Sequence, residues 1–78
     1  MIELLLKETN NEQTVYLYRP EGRGEYGEVI YIHKDKEAHE AKRASEDVAG
    51  RDAAKVCSKV EELISKGKTP EKYILAWY

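Results

Sequence analysis

Ala49, Ala53, Val56, Cys57, Val60, Leu63 and Ile64 recur at steps of three and four residues, and no other part of the 78-residue chain carries so long an apolar stripe at helical spacing. Arg51, Asp52, Lys55, Lys59, Glu61 and Glu62 take the opposite side. Ser45 or Asp47 suits the start, because a short polar side chain can cap the free amides and acids favour the positive helix end. Gly67 stands where a C-terminal cap belongs, and Pro70 forbids continuation. The spacing therefore predicts one amphipathic helix over about 47–66. A lone helix needs a different kind of partner for its stripe. The fold class is α+β, with the helix packed on one face of a sheet built by the same chain.

The strands are legible before the helix. Ile2 to Lys7 alternates, with Ile2, Leu4 and Leu6 on one face. After the turn-forming Thr9-Asn10-Asn11-Glu12, the β-branched and aromatic run Thr14–Tyr18 reads as the second arm of a hairpin, closed by Pro20. Glu28 to His33 resumes strand character beyond the glycine-containing loop from Arg19 to Gly27. Residues 34–47 favour helix by propensity. Yet Lys34-Asp35-Lys36-Glu37 also suits the tip of a second hairpin, with 38–44 returning as an edge strand whose charges discourage aggregation. The hairpin is the reading adopted. Tyr73 to Tyr78 is apolar or aromatic throughout and predicts a C-terminal strand over about 72–78. The expectation is an antiparallel meander of three or four strands, one helix, and that final strand, forming a single domain over residues 1–78.

Two faces of the sheet differ in kind. Leu4, Leu6, Val15, Leu17, Ile30 and Ile32 form an aliphatic set suited to lie under Val56, Cys57, Val60, Leu63 and Ile64, with Leu75 and Trp77 completing the core. Tyr16, Tyr18, Tyr31 and, from the loop, Tyr26 then belong to a face that no second helix covers. Such a face is either satisfied within the monomer by Tyr73, Trp77 and Tyr78, or is a surface for a partner.

Composition narrows the functions. The chain is 41% hydrophobic and 36% charged, with a formal charge of −2, so it offers no bulk attraction to phosphate backbones or anionic lipid. The apolar run at residues 2–6 is too short for a signal peptide, and no stretch reaches the ~20 apolar residues of a membrane helix, which favours a cytoplasmic setting. The single cysteine cannot form an internal disulfide.

The segment Tyr18-Arg19-Pro20-Glu21-Gly22, leading into a glycine-containing turn, together with Ala76-Trp77-Tyr78, resembles a group of small bacterial proteins. The resemblance implies a fold and no mechanism, since no activity is assigned to the group. It is weakest from Lys34 to Ser45, where the pattern has a turn-forming glycine and this chain has Lys34-Asp35-Lys36-Glu37.

Gly22-x-Gly24-x-x-Gly27 matches nucleotide-binding glycine fingerprints literally. The dinucleotide version needs a helix next, and here a strand follows. The kinase version needs a catalytic lobe for which there is no room, and Glu21, Glu25 and Glu28 would repel phosphates. A hairpin loop needing glycine for its turns is the simpler account. His33 and His39 could meet across a hairpin with Asp35 or Glu37 as metal ligands, though the spacing is not diagnostic; solvent-exposed histidines on an edge are the simpler account. Cys57 lies on the apolar stripe, where a thiol is inert. No catalytic constellation emerges and no cofactor is expected. The sequence points to a non-enzymatic module that binds a protein partner or a second copy of itself through the tyrosine face or an open sheet edge. The alternatives are single-stranded nucleic-acid binding by the same aromatics, or metal or small-ligand binding near His33 and His39.

Overall fold

A computed structural model describes residues 1–76. The order of elements is β1 (Ile2–Thr9), β2 (Gln13–Pro20), β3 (Gly27–Ile32), β4 (Glu37–Lys42), α1 (Arg51–Ser65) and β5 (Lys72–Leu75). All five strands form one antiparallel sheet in the order β4-β3-β2-β1-β5. The expected meander is thus extended to five strands. β4 lies at one edge and β5 at the other, so the chain crosses the sheet between them and lays α1 over one face as it does so.

Residues 34–36 do form a hairpin tip, and β4 returns along β3 despite its helical composition. Pairing with β3 outweighs a propensity worth only tenths of a kcal/mol per residue. The turn closes with Lys36 at φ 57°, the left-handed conformation that glycine adopts without strain.

The helix is shorter than the apolar spacing predicts. Ala49 and Gly50 have φ of 59° and 77°, which no right-handed helix accommodates, so residues 47–50 lie outside it. Its start is capped from a distance. Asp47 Oδ1 accepts from the Asp52 amide and Oδ2 from the Ala53 amide, both at 3.0 Å, satisfying two of the free donors of the first turn. At the other end Gly67, at φ 74°, lets its own amide reach the Ile64 carbonyl and the Lys68 amide reach that of Leu63. β5 ends at Leu75; Trp77, expected in the core, and Tyr78 lie outside the described residues.

The faces of β2 and β3 are the reverse of those expected. Leu4 is paired with Tyr18 and Leu6 with Tyr16, so the aliphatic side of β1 continues into the tyrosine side of β2. Tyr16 is in turn opposite Val29, and Thr14 opposite Tyr31. Ile2, Leu4, Tyr16, Tyr18, Val29 and Tyr31 are therefore buried together with Ala53, Val56, Val60 and Leu75. Leu63 is also buried, while Leu6, Cys57 and Ile64 pack partly buried at the margin. The phenol tips explain the choice. The Tyr16 hydroxyl donates to the Pro70 carbonyl at 2.6 Å, beyond the C-terminal end of α1. The Tyr18 hydroxyl donates to Asp47 Oδ2 at 2.7 Å, before its N-terminal end. Each ring buries a large apolar body while its polar tip finds a partner at one end of the helix.

Gly27 makes this packing possible. A Cβ there would collide with the Tyr18 ring and with backbone atoms of Lys42 and Ala44. It is a glycine of close approach, not a loop glycine.

Candidate functional site

The face opposite α1 is covered by no other element among the described residues. Its centre is aliphatic. Leu5 is paired with Leu17, and Val15 with Ile30. Side chains two residues apart share a face, so Leu17 adjoins Val15 and Ile30 adjoins Ile32. Ile74, paired with Glu3 and diagonal to Leu5, extends the series to the β5 edge, where it is 53% exposed. The result is one oblique apolar stripe: Ile74, Leu5, Leu17, Val15, Ile30, Ile32. Val15 is buried by its neighbours, whereas Leu5, Leu17, Ile30 and Ile32 are half-buried.

Polar groups flank the stripe. Glu3 Oε1 accepts from Arg19 Nε and Nη2 at 3.2 and 3.0 Å and from the Tyr26 hydroxyl at 2.9 Å. The Arg19 guanidinium also stacks over the Tyr26 ring, 4.3 Å from its centroid. Partial burial, helped by the Glu3 carboxylate, raises the Tyr26 hydroxyl above its ordinary pKa and keeps it a donor. Lys7 and Glu28 pair at 3.1 Å across β2, reaching over the stripe. Tyr26 alone among the four proposed contact tyrosines belongs to this face. Tyr16, Tyr18 and Tyr31 are 1%, 0% and 5% exposed beneath the helix and offer no surface to a partner.

The remaining candidates do not converge. His33 is held by the buried Thr14 hydroxyl at 2.9 Å and stands edge-on to Tyr31, on the helix side of the sheet. His39 is opposite Ile30, on the other side, near Glu37. The two histidines are separated by the sheet itself. No group of three or more metal-ligating side chains occurs among the described residues. Gly22 and Gly24 do serve turns, at φ 66° and 79°, but the loop is pinned: the Glu25 amide donates to Ser45 Oγ at 2.7 Å and the Ser45 amide to the Glu25 carbonyl. The amides of Glu21, Gly22, Arg23 and Glu25 are all engaged within the fold. Burial, with Glu61 and Glu40 nearby, pushes the Cys57 thiol up to about 11, far from a reactive thiolate.

A second polar cluster sits at the helix start, where Asp47 caps the helix as its sequence position suggests and also accepts from the Tyr18 hydroxyl, a partner outside any local pattern. Burial pushes the Asp47 carboxyl up, but the Tyr18 hydroxyl and the amides of Asp52 and Ala53 outweigh it and hold it below its ordinary value. Asp52 is displaced the other way, raised by burial and by the Asp47 charge. Every strong acceptor on Asp47 is occupied by the fold, which makes this a structural joint. Gly50, at the N-cap, has no side chain to offer, and the Asp47 carboxylate three residues ahead supplies the cap instead.

No family model, no curated protein and no solved structure matches the chain. No helix among the described residues is long and apolar enough to cross a membrane.

Proposed function

We propose that this chain is a non-enzymatic protein-binding module whose contact surface is the uncovered sheet face, centred on Leu5, Leu17, Ile30 and Ile32. The observation that carries this reading is that α1 covers only one side of the sheet, while the other keeps a continuous aliphatic stripe. The Arg19–Tyr26 stack at its end adds the residue types most enriched at binding hot spots. An edge is the weaker candidate. β4 is charged and carries a bulge at Ala41, both of which discourage strand addition, and β5 has only four residues. Nucleic-acid stacking loses support because three of its four proposed tyrosines are buried.

The test is affinity capture from lysate with wild type, with Leu17→Thr/Ile30→Thr, and with Lys55→Glu on the outer side of α1. Threonine keeps strand propensity while removing apolar contact. A captured protein lost with the threonine variant and retained with Lys55→Glu is expected. Equal capture by all three contradicts the reading.

A further inference from the structure

The stripe divides the uncovered face into flanks of opposite bias. On the side toward β4 lie Glu3, Arg19, Glu28, Glu37, His39 and Lys42; acids exceed the permanent cations by one. On the side toward β5 lie Lys7, Glu8 and Lys72, where the excess is one positive charge. A two-fold axis along the stripe lays stripe on stripe and sets each flank against its opposite, the self-complementarity that a symmetric dimer requires. Two like sheet faces then pack as a sandwich with interdigitating inner side chains.

Resting on the proposed binding face, we infer that its occupant is a second copy of this chain, docked face to face. The Lys7–Glu28 pair is the hinge of the arrangement. It is an exposed ion pair, its side chains 49% and 28% accessible, and such pairs contribute little. Exchanging it for Lys7 against Glu28 of the second copy costs almost nothing and uncovers Leu17 and Val15 for apolar contact. The formal charge of −2 adds little repulsion between copies.

The experiment is charge-swap pairing read by sedimentation equilibrium, with far-UV circular dichroism confirming that each chain is folded. One variant carries Lys7→Glu and Lys72→Glu, the other Glu28→Lys. Each alone sets like charge against like and is expected to dissociate at least tenfold more readily than wild type. Mixed in equal amounts they set opposite charges together on both flanks and are expected to restore the dimer. Wild type monomeric at millimolar concentration, or a mixture no more associated than its components, overturns the inference. If the wild type is monomeric while capture from lysate still depends on Leu17 and Ile30, the binding face stands and only its occupant is wrong.

Discussion

Tyr18 and Asp47 join the middle of the sheet to the start of the helix. The Tyr18 hydroxyl donates to Asp47 Oδ2 at 2.7 Å and accepts from the Ala44 amide at 3.1 Å, while Asp47 caps the amides of Asp52 and Ala53. Both residues are buried, Tyr18 completely. One hydroxyl thus fixes β2, the segment after β4 and the helix N-terminus against each other.

Tyr18→Phe keeps the ring and removes both hydrogen bonds, leaving the Ala44 amide unpaired. The expected loss is about 1–3 kcal/mol in urea unfolding. Asp47→Ala should cost a similar amount through the lost caps. Because the two groups share one hydrogen bond, the double variant should lose less than the sum. Additive losses would show that the groups act independently.

Stability should fall at both ends of the pH scale for identifiable reasons. The folded pKa of Asp47 is lowered, so its contribution is complete above the unfolded value near 3.8 and is lost as pH falls through the folded value. Tyr18 is raised well above 10.0 by burial, so its contribution is complete below that pH and is lost as pH rises through the folded value. Raised Asp52 acts against Asp47 on the acid side, stabilising only as it protonates. Asp47→Asn should flatten the acid limb and Tyr18→Phe the alkaline limb of urea midpoints measured against pH. Unchanged limbs would contradict the assignment.

Gly27→Ala should be among the most damaging small changes available. Its methyl group meets the Tyr18 ring and two stretches of backbone, with no flexible chain end to yield. Overpacking of this kind costs about 1–3 kcal/mol or more. A variant as stable as wild type would show that Tyr18 does not lie against β3 as described.

The left-handed residues predict changes of the opposite sign. Ala49→Gly and Lys36→Gly relieve φ values of 59° and 57° and should each stabilise by about 0.5–1 kcal/mol, read as a rise in thermal midpoint. Gly22→Ala and Gly67→Ala, also at positive φ and with open space for a methyl group, should destabilise through backbone strain alone.

The architecture was legible in the sequence because its signals are local. The 3.6-residue stripe, Gly67, and the alternation of β1 each report on a few neighbouring residues. The tyrosine face was misassigned because every side of β2 and β3 is apolar: Val15 and Leu17 against Tyr16 and Tyr18, Ile30 and Ile32 against Val29 and Tyr31. Alternation then says that the faces differ, not which one is covered. Cross-strand register decides that, and it depends on the turn at residues 10–12, where the Asn10 side chain accepts from the Glu12 and Gln13 amides. The partners of the phenol groups, Pro70 and Asp47, lie 54 and 29 residues away, beyond any local pattern. Taking tyrosine as surface-seeking overlooked that its hydroxyl, once satisfied, leaves one of the largest apolar bodies available to a small core.

The central claim is that a second copy of this chain docks on the aliphatic stripe, and not on the tyrosine side. The most direct measurement is a set of amide NMR spectra recorded from micromolar to millimolar chain concentration. Concentration-dependent shifts are expected at Leu5, Val15, Leu17, Ile30 and Ile32, with the amides of α1 unmoved. Shifts confined to α1 or to the β4 edge, or none at any concentration, would contradict it.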